Sequence, residues 1–398
     1  MDGSRTRPDD VWLRRALLAW IVLAVAVSVK VAVQPYSHTV YPVFANGARH
    51  WWADAPLYDD YSEQGLDLFR YSPTFAIAVT PFAIFPDVVG GILWNLASIA
   101  VLVWSLRMLV RHVLPGQWPA WREGVFLGLT LVLSVRGIWS GQNNTFLLGA
   151  AILGIVAISR KRWWTAALLL AIPVFIKIWP LALVLLLMAC WPKQLIGRFL
   201  AACGLFATIP LLTRPLGVVV DQYHHWYLML VNTRQTRWPG YRDAWTIWEN
   251  LFPPVNANVY LALQLATPLA VLGWCLWQKR RTSSDGELLM LILSMWVCWQ
   301  LLLGPGSERL TYIIVAPAVS WAVLVSYAEK RGRLASSIAW LMCGLLGTGG
   351  VERALLPYYS AAPVILPLGV VLLVAWLIWY QRGPALDVKP IGNTLSHG

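Results

Sequence analysis

The residues in this chain that could do chemistry stand at the ends of apolar runs. Between Val40 and Pro86 the chain reads Tyr41-Pro-Val-Phe-Ala-Asn-Gly-Ala-Arg-His-Trp-Trp52, then Asp54, Asp59, Asp60, Glu63 and Asp67, then Phe69-Arg-Tyr-Ser-Pro73. Further along come Gly141-Gln-Asn-Asn144, Lys177 within an apolar run, Arg242, and Glu308 after a Gly304-Pro-Gly306 turn. A carboxylate can take the proton of a sugar hydroxyl as general base, and Trp and Tyr faces suit the C–H surface of a sugar ring. Cations beside them can hold a phosphate and stabilise charge on a leaving group. On this chemistry the candidate bases are Asp67, Asp54 and Glu308. Lys177, Arg242 and Arg70 are the candidate phosphate ligands. Tyr71, Gln142, Asn143, Asn144 and Trp52 are the candidate sugar or acceptor contacts.

Each candidate also has a purely structural reading. Acids in a loop are commonly just solvated, and Glu308 has Arg309 beside it as an ion-pair partner. An amide-rich turn such as Gln142-Asn143-Asn144 caps helix ends as readily as it binds sugar. Trp side chains anchor helices at a membrane interface. Lys177 differs, because an unpaired charge in an apolar run is costly and calls for a function or a specific ion pair. His224-His225 lacks a third ligand at metal spacing, and Cys190, Cys203, Cys275, Cys298 and Cys343 show no metal-ligand or redox spacing. No metal is therefore expected. No Gly-rich phosphate loop is present, so nothing points to nucleotide use.

The elements that must position these residues follow from hydropathy. The chain has 398 residues, 58% hydrophobic and only 13% charged, a balance that excludes an ordinary soluble protein of this size. Runs such as Ala16–Val33, Val88–Trp104, Ala257–Trp277, Leu288–Leu303 and Val364–Trp379 suffice, at about 1.5 Å per residue, to cross most of a ~30 Å hydrocarbon layer. The net charge of +12 does not point to nucleic acid, since the basic residues sit in short clusters between apolar runs, as membrane topology requires. The expected fold is an all-α polytopic membrane protein of about twelve spans. The first run, which carries Lys30, is read as an uncleaved helix.

Arg5, Arg7, Arg14 and Arg15 favour a cytoplasmic N-terminus, and with both termini inside, the inner segments hold twice the basic residues of the outer ones. Apolar groups at helical spacing over 40–53 predict a helix lying in the interface. Residues 73–85, interrupted by Pro81 and ended by Pro86, are too short to span and read as half-inserted or re-entrant. Pro173, Lys177 and Pro180 split Trp163–Trp191 into two short helices meeting at the outer side. Residues 214–255 read as a second large outer loop after the first at about 34–87. Five spans follow, at about 257–277, 287–303, 310–327, 335–350 and 362–380. One transmembrane domain, 16–381, is thus expected between an arm of 1–15 and a tail of 382–398.

The order of these features resembles a known family. An aromatic-rich amphipathic helix ending at Pro-Leu-Tyr58, then Phe-Arg-Tyr-Ser-Pro73, an outer Gly-Gln-Asn-Asn144 and an interrupted helix at Lys177-Ile-Trp-Pro180 are similar to glycosyltransferase family 87, of the GT-C membrane fold, over about residues 10–330. The resemblance implies transfer of a sugar, commonly mannose, from a polyprenyl-phosphate donor to a glycan or glycolipid acceptor hydroxyl, on the extracytoplasmic side of the cell (inner) membrane. It implies an inverting, metal-independent displacement with no cofactor beyond the lipid-linked substrate, and an acid of the first outer loop as base. Members carry an Asp at the start of the amphipathic helix, where this chain has His38-Thr-Val40. Either Asp67 or Asp54 then serves, or the transferase activity is altered. A transporter or flippase of a lipid-linked sugar is the competing reading, although only one broken helix is visible where such proteins pair them. A non-catalytic scaffold, the third reading, needs no converging outer cavity and would be favoured by residues 54–71 lying away from Lys177 and Arg242.

Overall fold

A computed structural model of the chain describes residues 9–235, 240–253, 256–282, 284–328, 333–347, 350–359 and 362–382. The regular elements among these residues are all helices. In order the helices are α1 (Asp9–Val33), α2 (Tyr41–Ala53), α3 (Pro73–Ala83), α4 (Asp87–His112), α5 (Ala120–Trp139), α6 (Asn144–Ser159), α7 (Trp163–Ile176), α8 (Leu181–Cys190) and α9 (Pro192–Thr208). There follow α10 (Leu216–Gln235), α11 (Ala244–Leu251), α12 (Ala257–Arg281), α13 (Asp285–Leu302), a 3₁₀ stretch Arg309–Val315 running into α14 (Ala316–Ala328), α15 (Arg333–Leu346), α16 (Gly350–Leu355) and α17 (Ile365–Arg382).

Among the described residues, seven helical segments are long and apolar enough to cross a membrane: Val11–Val33, Asp87–His112, Pro192–Leu212, Asn258–Arg281, Asp285–Leu302, Arg309–Tyr327 and Ala362–Gln381. The expectation of about twelve spans counts shorter helices as well. At 16, 14, 10 and 14 residues, α6, α7, α8 and α15 fall short of a ~30 Å layer on their own. They pack against other helices of the bundle, as α6 does between α4 and α7.

Local sequence explains the helices that matter for the site. In α2, Tyr41, Phe44, Ala45, Ala48 and Trp51 recur at helical spacing and are buried, while Arg49 and Trp52 face away. The helix ends at Asp54, whose left-handed backbone (φ +59°) returns its N–H to the His50 carbonyl. Ser72 caps α3 by accepting the Phe75 N–H at 3.2 Å, and Pro73 starts the helix where no donor is needed. Between α7 and α8 the chain leaves helical geometry at Lys177 (φ −140°, ψ 142°), after Pro173 and before Pro180. Residues 214–255, expected as a loop, instead contain α10 and α11. Their His and Trp content disguises a helix that buries Val219 and Met229, while Asp221, His224 and His225 stay exposed.

Two apolar clusters form the interior. The larger joins α1, α4 to α9, α13, α14 and α17. The second lies under the first loop and is mainly aromatic. The Phe44 ring meets Tyr71, Phe75 and Trp94 edge-on at centroid distances of 5.1, 5.4 and 5.6 Å. Such pairs add about 0.5–1.5 kcal/mol each beyond burial, enough to fix the Tyr71 ring in place. Gly47 belongs to this packing, because a Cβ there would sit 2.3 Å from the Phe69 ring.

Candidate active site

The aromatic cluster delivers Phe69-Arg-Tyr-Ser-Pro73 to the break between α7 and α8. The Ser72 hydroxyl donates to the Phe175 carbonyl, in the last turn of α7, and the Tyr58 hydroxyl donates to the Tyr71 carbonyl at 2.9 Å. Lys177 emerges against this frame. Its Nζ donates to Asn144 Oδ1 at 3.1 Å and lies 5.8 Å from the centroid of the Tyr71 ring. Asn144 Nδ2 in turn donates to the Leu310 carbonyl at 3.3 Å. One asparagine thus joins the start of α6, the helix break and the segment after Glu308. The expected meeting of loop, amide turn and broken helix is present in these contacts.

The charged groups around Lys177 are not all engaged alike. Arg70 forms a two-pronged pair with Asp67, at 3.0 and 3.1 Å, and Asp67 Oδ1 also accepts the Leu68 N–H at 2.8 Å. Both oxygens of Asp67 are therefore committed. Glu308 sits on a braced turn: Ser307 Oγ donates to the Gln300 carbonyl at 2.6 Å, and Gln300 Nε2 donates to the Pro305 carbonyl at 3.0 Å. The Arg242 N–H donates to the Ser307 carbonyl at 2.7 Å, and Tyr241 bridges to Glu308 through the main chain. Burial raises the Glu308 carboxyl above its usual range, opposed by Lys177 and Arg70 and assisted by Asp67. Burial likewise lowers the Lys177 ammonium to about 8, with Glu308 opposing and Arg70 adding to the shift.

The amide turn carries another kind of incompleteness. Asn143 is wholly buried, and its amide makes no hydrogen bond of standard geometry, the Tyr71 hydroxyl being its polar neighbour. Gln142 Oε1 and Thr145 Oγ1 are buried and unpartnered beside it. Leaving a buried polar atom unpaired costs about 1–3 kcal/mol, so a cluster of four within four residues needs an explanation. Helix capping does not supply one, because Asn143 occupies the N-cap position of α6 without making a side-chain cap bond. The turn itself is tight: Gly141 has φ +63°, and its carbonyl accepts the Trp94 indole N–H at 3.0 Å. Within this turn the Asn143 amide lies beside the Tyr71 hydroxyl and Asn144 holds Lys177, an arrangement suited to a ligand rich in hydroxyls.

Three expected members are engaged elsewhere. Asp54 is exposed and pairs with Arg214 at 3.3 Å, and Arg214 also donates to the Trp51 and Trp52 carbonyls. The Trp52 indole donates to Thr80 Oγ1 at 2.9 Å, stapling α2 to α3. Arg242 turns its guanidinium to Glu352, 2.8 Å away and fully buried, and Arg309 meets the same carboxylate at 2.9 Å. Arg309 therefore pairs with Glu352, not with the neighbouring Glu308. The Tyr312 hydroxyl completes this knot by donating to the Arg242 carbonyl at 2.8 Å. Only the main chain of Arg242 reaches the turn that bears Glu308. The sequence reading overlooked Ser72, Thr145 and Glu352. For Ser72 the signal was available as a Ser-Pro helix start, whereas nothing local marked Glu352. The observation that would favour a scaffold is not met on the Lys177 side, where Tyr71 lies beside Lys177.

Comparison with known proteins adds a family and two relatives. Residues 69–305 match the family model of Glycosyltransferase family 87. The chain is 23% identical over 323 residues to the polyprenol-phosphate-mannose-dependent alpha-(1-2)-phosphatidylinositol pentamannoside mannosyltransferase of Mycobacterium tuberculosis, an alignment covering 77% of this chain and 70% of the relative. It is 24% identical over 322 residues to the protein of the same description from Mycolicibacterium smegmatis, covering 77% and 74% respectively.

Proposed function

We propose that this chain, which belongs to glycosyltransferase family 87 and is a membrane glycosyltransferase, moves a mannosyl group from a polyprenyl-phosphate donor to an acceptor hydroxyl on the extracytoplasmic side. Support for the donor comes from the two relatives, whose descriptions name polyprenol-phosphate-mannose dependence. The acceptor is a glycan or glycolipid. In this reading residues 16–381 act as one transmembrane domain of the cell membrane, with both termini cytoplasmic.

The observation that carries the proposal is the unsatisfied polar cluster joined by Asn144: Lys177 on one side, the orphan amide atoms of Asn143 and Gln142 on the other, and the Tyr71 ring between. The amides and Tyr71 hold sugar hydroxyls and the ring face. Lys177 and Arg70 hold the phosphate, whose charge grows as it leaves and is stabilised by cations already in place. A carboxylate beside them accepts the acceptor proton, and attack opposite the leaving phosphate inverts the anomeric centre. The mechanism uses protein side chains alone, with no metal and no cofactor beyond the donor. Asp54, Trp52 and the Arg242 side chain serve it indirectly, by fixing α2 and the turn before Glu308.

Incubating membranes that contain the chain with radiolabelled polyprenyl-phosphate-mannose tests this directly. A labelled product with the opposite anomeric configuration to the donor is expected. Transfer from the glucose-linked donor but not the mannose-linked one would reject the sugar assignment, and retention of configuration would reject the mechanism.

A further inference from the structure

We infer that the general base is Glu308, outside the first loop, and that Asp67 is a positioning residue that holds Arg70 toward the donor phosphate. The inference rests on the glycosyl-transfer reading above. It comes from asking what each acid at this end of the bundle is already doing. Asp67 has both oxygens bound by Arg70, and Asp54 pairs with Arg214. Asp87 pairs with Arg49 at 2.5 Å, and Asp221 with His225 at 3.2 Å. Asp243 caps α11, and Glu352 is held between Arg242 and Arg309. Asp59, Glu63 and Glu249 stand in open water, as does Asp60, which accepts the Ser62 N–H.

Glu308 alone, among the described residues at this end, is partly withdrawn from water while its carboxylate makes no hydrogen bond or ion pair. Its surroundings suit a base. Asn144 ties Lys177, at the α7–α8 break, to the Leu310 carbonyl two residues beyond Glu308, and Lys177, Arg70 and Asp67 act on the Glu308 charge through space. Arg309 and Arg242, on its own segment and the one bridged to it, are turned to Glu352. The backbone is fixed, because a Cβ at Gly304 would fall 2.5 Å from the Gln300 side chain and Ser307 is tied at both its hydroxyl and its carbonyl. A half-buried carboxylate that binds its proton more tightly than an ordinary Glu is a stronger base near neutral pH than an exposed Asp locked to Arg.

The step balances. The acceptor O–H proton passes to a Glu308 carboxylate oxygen as the acceptor oxygen bonds to the anomeric carbon of the donor. The bond from that carbon to the phosphate oxygen breaks, and its electron pair leaves with the polyprenyl phosphate, beside Lys177 and Arg70.

The test compares E308Q, E308D, D67N and the exposed control D59N in the labelled polyprenyl-phosphate-mannose assay, with octyl mannoside as acceptor and the melting temperature in detergent as a check on folding. E308Q should lose about 10²–10⁴-fold in kcat with donor KM changed less than about threefold. E308D should keep measurable transfer with the acid limb of its pH profile displaced, a change that a merely structural role would not produce. D67N should raise donor KM and retain kcat, and D59N should match the unaltered chain. If E308Q fails to fold, the acid limb of E308D decides. Full turnover by E308Q, an undisplaced limb in E308D, or a loss of kcat in D67N instead would overturn the assignment while leaving the transferase reading intact. No transfer by the unaltered chain from any polyprenyl-phosphate hexose would overturn both.

Discussion

Two clusters of cations and carboxylates lie close together near the turn 304–308, and they are built oppositely. In one, Glu352 is fully buried and its Oε1 takes both Arg242 and Arg309, while its Oε2 makes no hydrogen bond. In the other, among the described residues, Lys177 donates to one amide oxygen, Glu308 makes no ion pair, and the Asn143 amide makes no hydrogen bond of standard geometry. The first cluster pairs its charges within the protein and braces the turn. The second leaves its charges without a partner of opposite sign among the described residues. Buried polar groups cost free energy unless paired, so a chain that pairs one set and leaves its neighbour open marks the neighbour as the place where a ligand supplies the partners.

The two clusters should therefore respond oppositely to substitution. The largest effect is expected from breaking the closed one: Glu352→Ala strands Arg242 in the interior and should cost about 3–5 kcal/mol, read as a large drop in melting temperature and in folded protein recovered in detergent. Breaking the open one should do the reverse. Lys177→Met removes a desolvated charge, so the fold should be as stable as before or more so. Transfer, however, should fall by about 10²–10³, the scale for losing one pre-organised group that stabilises transition-state charge. A more stable but still active K177M would erase the contrast.

A smaller effect sharpens the comparison. Asn143→Leu replaces an amide that makes no hydrogen bond of standard geometry with an apolar group of similar size and should change stability little. Donor or acceptor KM should rise about tenfold, the worth of one ordinary hydrogen bond to a sugar. A loss of stability matching the loss of affinity would make Asn143 structural.

Protonation should give a graded version of the same contrast. The raised Glu308 carboxyl must be ionised to act as base, so transfer should fall as pH drops through a limb above that of an ordinary glutamate. Lys177, lowered to about 8, loses its charge as pH rises past that value, so donor KM should climb on the alkaline side. The stability sign is also set. Between about 8 and the ordinary lysine value the unfolded chain binds more protons than the folded one, so stability from this group increases with pH, an increment that K177M should lack. Flat pH profiles in the unaltered chain would contradict both assignments.

How much of this was legible in the sequence depended on the range of each interaction. The split of the apolar run at Lys177 followed from Pro173 and Pro180, and α2 from its apolar spacing, because both are local backbone effects. The gathering of Lys177, Tyr71 and Asn144 followed from topology alone, since all three end apolar runs on the same side. Pairing did not follow. Arg242 and Glu352 are separated by 110 residues, and no local pattern tells a buried ion pair from a phosphate ligand. The same blindness made exposed Asp67 attractive as a base when its bond to Arg70, three residues on, already occupied it. Hydropathy counts about twelve spans by including short apolar helices such as α8, whereas seven of the described segments are long enough to cross by themselves.

The central claim is that the cluster left open around Lys177 is the site of transfer. The most direct measurement is mannosyl transfer from labelled polyprenyl-phosphate-mannose by K177M and the unaltered chain, in membranes matched for the amount of folded protein. The account predicts labelled product from the unaltered chain and a loss of at least about 10²-fold in K177M at an equal or higher melting temperature. Equal transfer by the two would contradict it.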